Sequence, residues 1–137
     1  MDTLRKYLLD LKVRSVQHLG SQFVLIKLTS PLPLPPMLPG QFVQVRIDHS
    51  PATFLRRPIS ICLSDPSSNE LWLLVAMVGQ GTRRLAQLNA GDVVNCLLPL
   101  GHGFTLPAGS MPTQRHLLVG GGVGVAPLLF LGKTLSQ

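Results

Sequence analysis

A basic pair followed by a hydroxyl, in the run Arg56-Arg57-Pro58-Ile59-Ser60, is the stretch of this chain best suited to hold an anion. Guanidinium groups are permanently charged and offer paired donors, so Arg57 could clamp a pyrophosphate. In a strand, residues 57 and 59 point to one face and residues 58 and 60 to the other. A basic pair guarding the open end of an edge strand would show the same residues. The run by itself therefore leaves both interpretations open.

A glycine turn is the second candidate for phosphate binding. Gly79-Gln80-Gly81-Thr82 leads into a helix predicted over Thr82–Leu88, with Thr82 at the N-cap. The unsatisfied N–H groups at a helix start favour a phosphate, and glycine permits close backbone approach, although an ordinary capped helix would show the same residues. Together, the two runs suit a dinucleotide that carries a flavin. Ser60 could then offer a hydrogen bond to a ring nitrogen, while Ile59 packs on the ring.

A glycine-rich loop, Gly120-Gly121-Gly122-Val123-Gly124, lies between a predicted strand, His116–Val119, and a predicted helix, Ala126–Leu135. Strand, loop and helix in this order are the context of a dinucleotide phosphate loop, although the spacing is not Gly-x-Gly-x-x-Gly. This change of pattern predicts a domain boundary between residues 112 and 113.

Alternating apolar residues and turn signals predict six strands before that boundary. They are Leu8–Val16, Gln22–Thr29, Gln41–Asp48, Arg57–Leu63, Glu70–Val78 and Asp92–Leu98. Strands at this spacing, with one short helix before the last, predict an all-β domain over residues 1–112 that forms a six-stranded antiparallel barrel. Residues 113–137 are then the first strand and helix of an incomplete α/β domain.

Composition indicates a globular protein, because 45% of the 137 residues are apolar and 13% are charged. The net charge of +6 raises the alternative of a β-barrel that binds nucleic acid. The basic residues are scattered, however, without the aromatic interleaving that stacks bases. Cys62 and Cys96 are predicted to be reduced core thiols, and no metal site is expected. The N-terminus does not resemble a signal peptide, which predicts a cytoplasmic protein without membrane contact.

Four runs in a fixed order resemble the electron-transfer subunits of NAD-dependent dihydroorotate dehydrogenases, within the ferredoxin–NADP reductase superfamily. They are Phe54-Leu55-Arg56-Arg57-Pro58-Ile59-Ser60-Ile61, Gly81-Thr82-Arg83-Arg84-Leu85, Leu98-Pro99-Leu100-Gly101-His102-Gly103-Phe104 and Val119–Pro127. The similarity extends from about Tyr7 to Leu135, and the Arg-Arg-Pro-Ile-Ser form is fairly specific for these subunits.

The resemblance implies a Greek-key FAD-binding barrel, then a NAD-binding domain and a Cys-rich 2Fe-2S segment. It implies that electrons pass in pyrimidine synthesis from dihydroorotate through FMN in a catalytic partner subunit, the cluster and FAD to NAD. By position, FAD contacts are implied for Arg57, Pro58, Ile59, Ser60, Leu74, Val75, Ala76, Gly81 and Thr82. Ser60 is the implied catalytic residue. The near edge of the NAD site is implied for Gly120, Gly121, Gly122 and Gly124.

Two departures from the family pattern affect these expectations. Val75 and Ala76 stand where family members often have an aromatic and a basic residue, so side-chain stacking and a phosphate contact would be lost. The chain also ends before the rest of a NAD domain and before any cluster cysteines, which predicts a truncated electron-transfer protein that is not active alone. A flavin subunit of a ferredoxin- or sulfide-linked NAD(P)H oxidoreductase is the alternative within the superfamily.

Overall fold

The computed structural model of the chain describes residues 5–106 and 114–137. Its strands are β1 (Tyr7–Leu19), β2 (Phe23–Thr29), β3 (Phe42–Val45), β4 (Arg57–Asp65), β5 (Glu70–Ala76) and β6 (Val93–Leu100). They form a closed antiparallel barrel in the spatial order β1-β2-β5-β4-β3-β6, and β6 pairs back to β1. All six predicted strands and the predicted barrel are confirmed, with differences only at the strand ends.

The barrel interior is filled by apolar side chains that alternate along the strands. On β2, Val24, Ile26 and Leu28 are buried while the residues between them are half-buried. Burying each such side chain is worth about 1.5–3 kcal/mol. Cys62 and Cys96 are free thiols and are buried, as predicted. Burial raises the pKa of the Cys96 thiol to about 12, although the nearby Arg56 charge lowers it.

The short helix α1 (Gln80–Leu85) begins two residues earlier than predicted and ends three residues earlier. Its N-cap is Gly79, so the predicted N-cap position of Thr82 is wrong. Thr82 instead lies within the first turn, where its hydroxyl oxygen accepts hydrogen bonds from the N–H groups of Val78 and Gly79, both at 3.0 Å. Thr82 is thus the third residue of a capping box, whose side chain bonds back to the backbone N–H of the N-cap residue.

The second described segment has a 3₁₀ turn, Gly122–Val125, and a helix, α2 (Ala126–Leu135), which confirms the predicted helix. The predicted strand His116–Val119 is wrong, because residues 114–121 pair with no strand of the described chain. A strand forms only beside a neighbouring strand with which it can exchange hydrogen bonds. Leu117 and Val119 have no such cover and are 88% and 81% exposed in the described chain. Helix α2 packs against β4 and buries Phe130. The predicted domain boundary lies outside the described residues.

No helix within residues 5–106 or 114–137 is long and apolar enough to cross a membrane.

Candidate functional site

Arg57 and Gly81 bring the first two sequence motifs into contact. Arg57 is the first residue of β4, and Gly81 lies in the first turn of α1. A β-carbon placed on Gly81 would lie 2.9 Å from Nε of Arg57 and 3.4 Å from its Cγ. The arginine side chain therefore lies directly over the helix start, in space that any larger residue at position 81 would occupy.

The charge of Arg57 is free for a ligand. In the part of the chain that the structure describes, the two ion pairs are Arg14–Glu70 and Arg46–Asp48. Arg57 takes part in neither. Its Nη1 donates a hydrogen bond to the backbone carbonyl of Leu55 at 2.9 Å, and the side chain remains partly exposed. One arm of the guanidinium group is thus oriented by the protein, and the other donors can bind an anion.

Arg56 has a different role from its neighbour. Its Nη1 donates to the backbone carbonyls of Gln44 and Asn95, both at 3.2 Å, and its Nη2 donates to the Asn95 side chain. The Asn95 amide in turn donates to Asp10 Oδ1 at 2.8 Å. Arg56 therefore links the start of β4 to β3 and β6, and through Asn95 to β1. Its guanidinium group is engaged in hydrogen bonds within the barrel. The sequence interpretation placed Arg57 and not Arg56 at the ligand, but it did not foresee the role of Arg56 in the barrel.

The first turn of α1 offers backbone donors beside Arg57. The N–H groups at the start of a helix have no intrahelical acceptor, and Gly81 and Thr82 belong to this turn. The hydroxyl of Thr82 is already engaged, because it also donates to the Gly79 carbonyl at 3.2 Å. Thr82 can thus contact a ligand through its backbone N–H, and its side chain maintains the turn.

The outer face of the barrel beside Arg57 presents Pro58 and Ser60, both exposed. On the neighbouring strand β5, Leu74 and Ala76 are half-buried. Because side chains alternate along each strand, these four residues lie on the outer surface of adjacent strands. A flat ring could lie across this surface within reach of the Ser60 hydroxyl.

Two predicted site residues face the opposite way. Ile59 is 9% exposed and Val75 is 0% exposed, and both belong to the hydrophobic core of the barrel. This burial argues against packing of the Ile59 side chain on a bound ring. The same holds for side-chain contacts from Val75. The pleat of the strand directs these side chains inward, so both residues can meet a ligand only through their backbone atoms.

The glycine-rich loop lies near this outer face. The 3₁₀ turn that contains Gly122 and Gly124 lies against β5. A β-carbon on Gly120 would lie 2.7 Å from Leu128 Cδ1 and 3.0 Å from Val125 Cα, whereas one on Gly121 would meet nothing within 4 Å. Gly120 is thus required where the loop turns into α2, and Gly122 is required for its positive φ of 57°.

Thr53 is a site residue that the sequence interpretation missed. It is 9% exposed, and its Cγ2 lies 3.3 Å from the β-carbon position of Gly81. The next residue, Phe54, is 91% exposed. Phe54 was part of the family resemblance, but no feature of the sequence indicates that the loop before β4 folds against the helix start.

Comparisons with known proteins show what the chain is similar to. No protein-family model matches the chain. Over 97 residues, the chain is 48% identical to the electron transfer subunit of dihydroorotate dehydrogenase B (NAD(+)) from Bacillus cereus, covering 71% of this chain and 37% of the relative. A relative with the same description from Bacillus anthracis is 47% identical over 97 residues, again covering 71% and 37%. The chain thus spans a little over a third of the length of the curated relatives that it matches.

Solved structures show the same fold. The structure of an NADH-dependent reduced ferredoxin-NADP oxidoreductase has a TM-score of 0.76 at 25% identity, over 92% of this chain and 44% of the other. Phthalate dioxygenase reductase has a TM-score of 0.66 at 25% identity, over 92% and 39%. The chain is therefore a homologue of the electron transfer subunits of NAD-dependent dihydroorotate dehydrogenase, built on the barrel of ferredoxin reductase-like proteins.

Proposed function

We propose that this chain binds FAD and serves as the flavin-binding part of a dihydroorotate dehydrogenase electron transfer subunit. The observation that carries the proposal is the position of Arg57 over Gly81. A guanidinium group with no carboxylate partner among the described residues, placed at a glycine-containing helix start, presents charge and backbone donors to one anion. A pyrophosphate suits this combination because it offers several acceptor oxygens over a short distance.

The remaining residues fit the rest of the cofactor. Ser60 provides a donor on the outer barrel face, and Pro58, Leu74 and Ala76 provide the apolar surface around it. Ile59 and Val75 contribute backbone groups only. When bound, FAD supplies the ability to accept electrons in a pair and to release them one at a time. The protein orients the ring with Ser60 and holds the diphosphate with Arg57 and the N–H groups of Gly81 and Thr82.

The position of the glycine-rich loop supports a neighbouring NAD site. Gly120, Gly121, Gly122 and Gly124 would form its near edge, and the turn that they build lies against β5, the strand that carries Leu74 and Ala76. We infer that residues 113–137 begin a NAD-binding domain. Exchange of electrons between NAD and FAD requires the two rings to meet, and the contact of the glycine-rich turn with β5 supports two neighbouring sites.

The wider relay belongs to the longer protein. The relatives that match are nearly three times as long as the matched region, so a 2Fe-2S segment would lie in the part that this chain does not span. Cys62 and Cys96 are buried on separate strands and do not suit a cluster. We propose that the complete protein passes electrons from a catalytic, FMN-containing dihydroorotate dehydrogenase subunit through the cluster and FAD to NAD.

A second candidate is the flavin subunit of a ferredoxin- or sulfide-linked NAD(P)H oxidoreductase. The structural similarity to a reduced ferredoxin-NADP oxidoreductase favours it, but at 25% identity, against 48% for the dihydroorotate dehydrogenase relatives. The two candidates differ in their partner. Copurification of the full-length protein with a dihydroorotate-oxidising subunit would support the first, and reduction of the flavin by ferredoxin or sulfide would support the second.

Titration of the purified chain with FAD tests the proposal. We expect saturable binding that Arg57→Ala weakens by about 1.5–3 kcal/mol, the value of a hydrogen bond to a charged group. The matched control is Lys12→Ala, which removes an exposed positive charge on β1, across the barrel from β4. Equal affinities of the two variants would contradict the assignment of Arg57, and absence of FAD binding by the parent chain would contradict the proposed function.

A further inference from the structure

Exposed apolar side chains border the Arg57–Gly81 contact. Phe54 is 91% exposed and Leu55 is 75% exposed on the β4 side, and Val78 is 80% exposed just before α1. Single exposed apolar residues are common on proteins, but a group of three beside one charged group is typical of an interaction site. Phe54 is the largest of the three and the only aromatic one.

The loop that carries Phe54 is held on both sides of that residue. On one side, the Thr53 N–H donates to the Ser50 carbonyl at 2.9 Å, and the Thr53 methyl group lies 3.3 Å from the β-carbon position of Gly81. On the other side, the carbonyl of Leu55 accepts the hydrogen bond from Arg57. The exposed ring of Phe54 is thus carried beside the Arg57–Gly81 contact by an anchored backbone.

The order of groups along the chain indicates which part of a dinucleotide Phe54 meets. Ser60 lies three residues after Arg57, on the outer face of β4, and Phe54 lies three residues before it, where the chain leaves the strand. In FAD the diphosphate lies between two ring systems. If Arg57 holds the diphosphate and Ser60 lies at the flavin, the second ring system lies on the Phe54 side.

We propose that Phe54 stacks on the adenine of the bound dinucleotide and thereby selects FAD over FMN. This inference rests on the proposed function. An aromatic side chain that stacks on a base commonly contributes about 1–3 kcal/mol, which corresponds to roughly 5- to 150-fold in affinity. The adenine would also cover an aromatic ring that the described chain leaves almost fully exposed.

The test compares FAD, FMN and ADP binding to the parent chain, Phe54→Ala and Phe54→Tyr by titration calorimetry. The matched control is Leu8→Ala, which removes a side chain that is 62% exposed on β1, across the barrel from β4. We expect Phe54→Ala to weaken FAD and ADP binding by roughly 5- to 150-fold. Phe54→Tyr should restore both, and FMN binding should not change.

Several outcomes would overturn the inference. If Phe54→Ala binds FAD and ADP as the parent does, Phe54 does not contact the ligand and the inference is wrong. If FMN binding falls as much as FAD binding, the ring lies at the flavin end. If the parent binds FAD but Phe54→Ala does not weaken it, the inference alone fails. A parent that binds none of the three ligands would refute the proposed function and the inference with it.

Discussion

Nε of Arg57 lies 2.9 Å from the position that a β-carbon would take on Gly81, so the arginine occupies the space that this glycine leaves open. Real β-carbons essentially never come this close to another heavy atom, and a methyl group at position 81 must therefore displace the guanidinium group. The contact joins the start of β4 to the start of α1 and makes one site from two motifs that are 24 residues apart in the sequence (81 − 57).

Gly81→Ala is therefore expected to weaken FAD binding. The arginine is flexible, so the fold should lose little stability, but the displaced guanidinium group no longer shares an anion with the helix start. We expect a loss of about 1.5–3 kcal/mol in binding free energy, similar to that of Arg57→Ala. The control is Gln87→Ala, which removes an exposed side chain just beyond the other end of α1. Equal FAD affinities of the two alanine variants would refute the role of the contact.

Arg56→Ala should reduce stability more than Arg57→Ala does. The substitution removes the donors to Gln44 and Asn95 and leaves Oδ1 of the buried Asn95 side chain without its donor. A lost hydrogen bond that involves a charged group costs about 1.5–3 kcal/mol. Urea denaturation of both variants without ligand measures the difference. If Arg57→Ala is as destabilising as Arg56→Ala, then Arg57 also supports the barrel and the division of roles is wrong.

Ser60→Ala should change the redox behaviour of bound flavin more than its affinity. Removal of one neutral hydrogen bond should cost no more than about 1.5 kcal/mol in FAD binding. A donor beside a flavin stabilises the electron-rich reduced ring, so its loss should make the midpoint potential more negative. A dithionite titration with a reference dye measures this on FAD-loaded protein, with Ser64→Ala as the control on the same strand. An unchanged potential together with lost affinity would make Ser60 a binding residue only.

Glu70→Gln should make the free energy of unfolding less sensitive to a fall in pH into the acid range. Burial raises the pKa of the Glu70 carboxyl group, but hydrogen bonds from Trp72, Arg14 and Ser68 outweigh it, and the pKa lies below its usual value. The ionised group therefore stabilises the fold above the unfolded-state pKa, and this stability is lost as the pH falls through the lowered value. We expect Glu70→Gln to cost about 1–3 kcal/mol at neutral pH.

The measurement for Glu70 is the free energy of unfolding in urea at pH 7 and pH 3. The difference in unfolding free energy between parent and variant should be smaller at pH 3, because protonation of Glu70 removes the same charge from the parent. Asp65→Asn serves as a comparison, since the Asp65 carboxylate accepts hydrogen bonds from Ser67 in an exposed turn and should matter less. A gap that stays constant between the two pH values would show that the charge of Glu70 is not what stabilises the fold.

Much of the architecture could be predicted from local pattern. The alternation of Val24, Ile26 and Leu28 places one face of β2 in a core, whatever its neighbours are. The same alternation along β4 correctly separates Ile59, which is buried, from Ser60, which is exposed. It did not say which of these two faces a ligand would use. That choice depends on the closure of the barrel, in which β4 lies between β5 and β3, so that one face of β4 becomes the core and the other the outer surface.

Features that depend on partners distant in the sequence were decided by the tertiary structure. His116–Val119 has the composition of a strand but lies unpaired in the described chain. A strand needs a neighbouring strand to satisfy its backbone groups, and composition alone does not supply one. Arg56 and Arg57 are chemically identical side chains. The sequence motif already favoured Arg57 for the candidate site, but only the closure of the barrel, which brings Asn95 to Arg56 and Gly81 to Arg57, shows that Arg56 supports the fold.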